Sequence, residues 1–342
     1  MTPPESLTIL SIPKEIPENP YQRLLSSTLR SEGADVLDKK PGLLALLHRR
    51  PGQKILHVHW MWLKEGFASR FIRFQRFRLW IWVARHLRWS VVWTVHNWDA
   101  HEGSGLETRL RECLLQNCDG LIVHTEATKS DLVAAALPRC PIAVIPHGHY
   151  RDAYVEAPSR NEARRRLQVD PSVPIFLAFG QIRPYKGIDR LVKAFRGTDL
   201  AATLLIAGAC PDATYRDHLL ALCGNDPRII FRPEHIDDQE VPLLFGAASW
   251  AVYPFRKVTT SGSLILALTF GRPVLIPDFG ALREVAFGEA AKIFQGDEDL
   301  PSALRTCLSA DQTAADAAAA SCCEHLEWGP IGKRTVEFLR SI

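Results

Sequence analysis

The sequence predicts an α/β protein made of two doubly wound domains, and three observations carry that prediction. Short apolar runs alternate with helix-type patterns from end to end, as βαβ units and parallel sheets covered on both faces require. The chain has 342 residues, which suits two domains of roughly 150 residues better than one core. A polar stretch, 147–173, with prolines at 158 and 171 and another at 174, interrupts the alternation near the middle.

In the first half, strands are expected at 7–11, 54–60, 90–96, 120–125 and 142–146, with helices at 105–117 and 127–136. The second half offers strands at 174–179, 202–207, 228–232, 250–254 and 273–276, with helices at 187–196, 238–247 and 261–270. The segment 313–342 reads as helical. Two Rossmann-like domains follow, 1–150 and 151–312, joined through the polar stretch. Their ligands belong at the carboxyl ends of the strands.

Composition excludes several classes. Apolar residues make up 46% and charged residues 23%, as in a globular protein. A net charge of +3 gives no general attraction for polyanions, and no nucleic-acid module is visible. The eight cysteines form no CxxC pair and no metal-ligand spacing; several sit in apolar segments, as free thiols of a reducing compartment do. The start, Met-Thr-Pro-Pro-Glu-Ser, lacks the marks of a signal peptide, and no run of 18 apolar residues could span a bilayer. A cytoplasmic location is expected.

Residues 174–196 carry the most chemistry. The apolar run Ile175 to Phe179 ends at Gly180, and a short loop brings Arg183 and Lys186 to a helix opening near Gly187. Two cations beside free amides at a helix start suit a diphosphate, although an ordinary strand-to-helix turn can also carry solvated charges. Downstream, Ser261, Gly262 and Ser263 open a second apolar helix that Gly271 closes. They offer further N–H and O–H donors, or a plain N-cap. Two such helix starts after strands favour one shared ligand.

The strand 90–96 runs into His96-Asn97-Trp98-Asp99-Ala100-His101-Glu102. Glu102, Asp99 and His101, in that order, are candidate general bases, since a carboxylate or imidazole can take a hydroxyl proton. A hydrogen-bonded loop without catalysis is the alternative. His57, His59 and His124, within or at the ends of strands, read as core or rim residues, and Asp237 and Asp238 as helix caps.

The pattern Gly-x-Ile-x-x-x-Lys-Gly followed by an amphipathic helix resembles the nucleotide-sugar loop of GT-B glycosyltransferases, and the resemblance spans roughly 50–290. It implies two domains facing across a cleft, a nucleotide-sugar donor held by Gly180, Arg183, Lys186, Ser261, Gly262 and Ser263, and a tail, 313–342, returning to the first domain. It also marks His147, Glu234 and Glu284 as donor-side candidates. Retaining family 4 members carry two glutamates where this chain has Val258 and Leu266. That departure resembles the inverting family 94, the xanthan-type GDP-mannose β-mannosyltransferases. The loop at 96–102 is similar to one in exopolysaccharide transferases. The implied reaction is inverting, metal-independent transfer of a hexose, mannose from GDP-mannose, to a polyprenol-diphosphate-linked oligosaccharide. A retaining UDP-sugar enzyme and a catalytically silent GT-B protein are the rivals.

Between Trp60 and Trp93 lie six of the nine tryptophans, four phenylalanines and six arginines, with Glu65 the only acid. At helical spacing Phe67, Phe71, Phe74, Phe77 and Ile81 share a face, with Arg73, Arg76 and Trp80 beside it. Phe71, Arg73, Phe74, Arg76, Phe77 and Trp80 are therefore expected to dock on an anionic membrane surface, peripherally, at the inner face of the plasma membrane. A core helix is the competing reading.

Overall fold

The computed structural model describes residues 6–14, 19–40, 42–47, 51–60, 67–96, 105–136 and 138–342. Twelve described strands form two parallel sheets. The first holds β1 (Leu7–Ile12), β2 (Asp35–Val36), β3 (Gln53–Val58), β4 (Ser90–Thr94), β5 (Gly120–Val123) and β6 (Ile142–Val144) in the order β2-β1-β3-β4-β5-β6. The second holds β7 (Ile175–Phe179), β8 (Thr203–Ala207), β9 (Ile229–Arg232), β10 (Trp250–Val252), β11 (Val274–Pro277) and β12 (Ala291–Phe294) in the order β12-β11-β10-β7-β8-β9. Strand order reverses between β1 and β3 in one sheet and between β7 and β10 in the other. Crossovers leave these reversals in opposite directions, so a crevice opens beyond the strand ends there.

Central strands are buried on both faces: all of β1, β5 and β11 is buried, and the described helices cover them. The helix Ile188–Arg196 shows how: Ile188, Leu191, Val192 and Phe195 fall on one buried stripe, while Lys193 and Arg196 face water. β2 and β12 were not foreseen. Both are edge strands, one of them two residues long and the other containing Lys292, so neither makes the apolar run that marks a central strand.

The chain divides into two compact units, Met1–Gly148 with Glu327–Ile342, and His149–Leu326. The tail was expected to cross back at 313, but the helix Gln312–Glu324 packs within the second unit and the first unit resumes at Glu327. The last helix, Trp328–Arg340, lies against Tyr21–Ser31. Their approach needs glycine, because a Cβ on Gly332 would lie 2.1 Å from Cγ2 of Thr28. Gln53 Nε2 also donates to the Leu339 carbonyl at 2.8 Å.

The helix Phe67–His86 corrects one expectation. Phe74, Phe77, Ile81 and Ala84 are buried against Trp89, Leu110 and Leu114 in the first core, so Phe74 and Phe77 cannot reach a lipid surface. Trp80 is half-buried against the same core. The apolar period that lipid would demand is also the period that a sheet demands, and the sheet holds this face. The helix nonetheless exposes Phe71, Ile72, Leu79 and Trp82 beside exposed Arg73, Arg76, Arg78 and Arg85. No described helix is long and apolar enough to cross a membrane.

Candidate functional site

The second unit gathers its polar groups beyond β7 and β10, at the strand-order reversal. β7 ends at Gly180, whose φ of +109° lies in the region that favours glycine. A Cβ there would sit 2.8 Å from Oγ of Ser263 and 3.1 Å from Nζ of Lys186, so the bare backbone makes room for both. Arg183 is extended, and Pro184–Lys186 form one 3-10 turn. Gly187 then turns left-handed at φ +71°, where a Cβ would strike the Pro254 carbonyl oxygen at 2.0 Å. Only glycine lets the loop after β7 pass this close to the loop after β10.

Lys186 Nζ lies 3.5 Å from Oγ of Ser263. The residue is half-buried, with its ammonium enclosed; burial, and then the charge of Arg183, lower its pKa to about 8. An enclosed ammonium beside a second cation is electrostatically unfavourable, and an anion would relieve it. Ser261 caps the helix Gly262–Thr269, its Oγ accepting from the Leu264 amide at 3.1 Å. The plain cap therefore accounts for the Ser261 oxygen, while Ser263 points to the lysine. Tyr253 donates to the Ser263 carbonyl at 2.6 Å and holds that turn. Gly262 is packed as well: a Cβ would meet the Tyr150 hydroxyl at 2.9 Å.

Sequence reasoning missed the clamp around this loop. Arg256 binds Asp189 through both guanidinium ends, at 2.8 and 2.7 Å, and donates to the Pro184 carbonyl at 2.9 Å. Its own amide donates to the Tyr185 carbonyl at 2.9 Å. Tyr215 adds a hydrogen bond to Asp189 at 2.9 Å. Burial opposes ionisation of Asp189, but Arg256 and Tyr215 outweigh it and hold the pKa at about 2. Arg190 donates to the Pro254 and Phe255 carbonyls at 2.9 and 2.8 Å. These residues lie in separate sequence segments with no motif between them, so only the fold reveals the clamp.

The remaining candidates are placed elsewhere. Glu234 is exposed and accepts from Arg232 at 2.8 Å. Glu284 is exposed at the end of the short helix Gly280–Arg283. His147 belongs to the first unit, buried among aromatic rings, with Nδ1 2.8 Å from the Gly148 carbonyl. Asp99, His101 and Glu102 lie outside the described residues. His57, His59 and His124, expected in the core or at its rim, are buried, with His96 and His147, at the carboxyl ends of the first sheet. A signal was present: His59, His96 and His124 stand just after β3, β4 and β5, with His147 soon after β6.

The protein-family model described as "Glycosyl transferases group 1" matches residues 173–310. Both anion-ready helix starts fall inside that match. Among solved structures, sucrose-phosphate synthase from Thermosynechococcus elongatus superposes with a TM-score of 0.75 at 18% identity, covering 98% of each chain. The chain has a GT-B fold, and its second unit contains the stretch that resembles group 1 glycosyl transferases. WaaG, a glycosyltransferase involved in lipopolysaccharide biosynthesis, shares that fold, with a TM-score of 0.67 at 16% identity over 97% of this chain and 99% of its own. In sequence, the chain is 32% identical over 190 residues to a GDP-mannose:glycolipid 4-beta-D-mannosyltransferase of Xanthomonas campestris pv. campestris. That alignment covers 55% of this chain, and the chain spans half the length of that relative. Within the matched stretch, Gly180, Arg183, Lys186, Gly262 and Ser263 stand at the reversal of strand order.

Proposed function

We propose that this chain is an inverting glycosyltransferase that moves mannose from GDP-mannose onto a polyprenol-diphosphate-linked oligosaccharide in exopolysaccharide assembly. The observation that carries the reading is the enclosed Lys186 ammonium beside Ser263, between two helix starts of the stretch that resembles group 1 glycosyl transferases. Such a site binds a diphosphate and stabilises the charge that grows on it as the glycosidic bond breaks. Positions 258 and 266 hold Val and Leu rather than carboxylates, and Leu266 is buried, which favours inversion by one displacement. The general base is assigned to the loop 96–102, with Glu102 first. Lys186, Arg183 and the helix amides neutralise the diphosphate, so no metal is required. The choice of mannosyl donor and glycolipid acceptor is supported by the Xanthomonas relative, a GDP-mannose:glycolipid 4-beta-D-mannosyltransferase.

The acceptor's lipid would keep the enzyme at a membrane, and the exposed face of Phe67–His86 is assigned to that contact. Its arginines supply attraction to anionic headgroups and Phe71, Ile72, Leu79 and Trp82 supply burial.

Incubation of the purified protein with a panel of UDP- and GDP-sugars, following nucleoside diphosphate release, tests the reading. GDP-mannose should be the preferred donor and the product anomer should be inverted. A retained anomer would remove the mechanism, and silence toward every donor would leave a binding protein instead.

A further inference from the structure

The helix Phe67–His86 is apolar on two sides. At about 100° per residue, Phe74, Phe77, Ile81 and Ala84 share the side buried in the first core, and Phe71, Ile72, Leu79 and Trp82 fall together nearly opposite, all exposed. A crossover helix that covers a sheet needs one apolar stripe and a polar back. Here the back is apolar as well, with Gln75 on it and arginines along both borders, Arg76 on one and Arg78 and Arg85 on the other. From Phe71 to Trp82 the exposed set runs over about 16 Å of helix axis. It is a stripe along the helix and not a cap at one end.

A second element widens the stripe. The short helix Leu43–Leu46 packs beside Phe67–His86. Ala45 and Leu46 are buried in the same core, and Trp89 Nε1 donates to the Leu46 carbonyl at 3.0 Å. Pinned in this way, the turn holds Leu43, Leu44 and Leu47 outward, with Leu44 85% exposed. Of the eleven exposed large apolar side chains among the described residues, seven lie on these two elements, a concentration that marks an interaction surface. The connections β2 to β3 and β3 to β4 run in one direction across the sheet, and right-handed crossovers then place both helices on one face.

Charge identifies what that face meets. Residues 39–98 hold twelve lysines and arginines and one acid, Glu65, a balance of +11 in a chain whose total is +3, so the remainder carries −8. Asp119 engages Arg85 at 3.1 Å, but the helix itself has no acid, and Arg73, Arg76 and Arg78 are exposed. Long arginine stems beside an apolar stripe suit an interface in which the stripe sinks among acyl chains and the guanidinium groups stay with the headgroups. A cleft of about 570 Å³ opens beside the stripe, between this helix and Gly105–Asn117, lined by Arg78, Leu79, Trp82, Arg85, Cys113 and Asn117. Its apolar walls and cationic groups fit a phospholipid headgroup with the upper part of its chains.

We infer that the first unit lies face-down on an anionic bilayer, with Leu43, Leu44 and Leu47 inserted beside the outer stripe of Phe67–His86 and that helix parallel to the membrane plane. This deepens the membrane contact proposed above; it rests on exposure and charge, not on the transfer reaction. A crossover helix runs roughly along the strands it joins, so the first sheet also lies parallel to the plane. Its carboxyl ends then open along the membrane surface rather than into it, and on the transferase reading a lipid-linked acceptor enters from the side.

Photo-crosslinking on the full chain tests this pose. p-Benzoylphenylalanine is placed at Leu44, Ile72 or Trp82, one at a time, with exposed Leu220 of the second unit as control. Each protein is irradiated with phosphatidylcholine vesicles made with or without phosphatidylglycerol. Positions 44, 72 and 82 should all capture phospholipid when phosphatidylglycerol is present, and 220 should not. Leu44→Ser/Leu47→Ser should weaken vesicle affinity about tenfold, with the melting temperature unchanged because neither side chain is in the core. Capture at 72 without 82, at 82 without 72, or at 220 as strongly as at 44 would overturn the pose. Undiminished affinity in the double serine variant would remove the leucines from the contact, and crosslinks between chains in place of lipid would make the face a site of self-association; either result overturns the inference. Absent nucleoside diphosphate release with lipid capture intact would count against the transferase reading alone.

Discussion

Lys186 and Ser263 meet at 3.5 Å although 77 positions separate them in the chain. Each stands at the opening of a helix, one after β7 and the other after β10, and Gly180 leaves the space in which they meet. Parallel strands at a reversal of order bring their loops together on one edge, so two turns far apart in sequence place a cation and a hydroxyl side by side.

Replacing Arg183 and Lys186 together with alanine should weaken donor binding and slow turnover. Each cation makes a charge-assisted contact worth about 1.5–3 kcal/mol, much of it expressed as the leaving diphosphate gains charge. Steady-state kinetics on the folded double variant checks this, and unchanged kcat and KM would remove the site.

Gly180→Ala should act in the same direction without touching a charge. The new Cβ would lie 2.8 Å from Ser263 Oγ and must displace it, at a φ that alanine adopts only with strain. Donor KM should rise about tenfold, equivalent to about 1.4 kcal/mol, with kcat less affected.

Donor affinity should depend on Lys186 titration. With a pKa of about 8, the ammonium is charged below pH 8 and is lost as pH rises through that value. Binding a diphosphate favours the charged form, so affinity should be flat below pH 8 and fall above it, with proton uptake on binding near the midpoint. Calorimetry in buffers of different ionisation heat measures that uptake, and Lys186→Arg should abolish it.

Acid should destabilise the first unit through its buried histidines. His57 and His147 are held at about 3 and His124 at about 4 by desolvation. Unfolded histidines titrate near 6.5, so between about pH 6.5 and 4 the unfolded chain binds more protons. The stability they contribute is present above pH 6.5 and lost as pH falls through that window. Denaturant midpoints should decline across it, and His57→Phe or His147→Phe should flatten the decline.

The helix Phe67–His86 should separate its two faces by experiment. Liposome sedimentation should show binding to anionic vesicles that falls when Arg73, Arg76 and Arg78 become glutamate, and falls again when Phe71 and Trp82 become serine. Phe74→Ala should instead cost about 3–5 kcal/mol of stability as a core deletion. Equal sedimentation by all the surface variants would withdraw the membrane contact.

Much of this protein was determined by sequence alone, because the signals are local. Apolar runs of four to six residues marked the central strands, and Gly180 and Gly187 announced backbone that only glycine fits. Arg183, Lys186 and Ser263 were legible for the same reason, since a cation or hydroxyl just after a strand is read within a few positions. Tertiary structure decided what depends on partners distant in the chain. Phe74 and Phe77 carry a period equally suited to lipid or to a sheet, and packing against Trp89 and Leu110 chose the sheet. The Asp189–Arg256 clamp has no spacing to betray it. Hydrogen-bond direction and burial are properties of groups brought together, and parallel strand order brought these there.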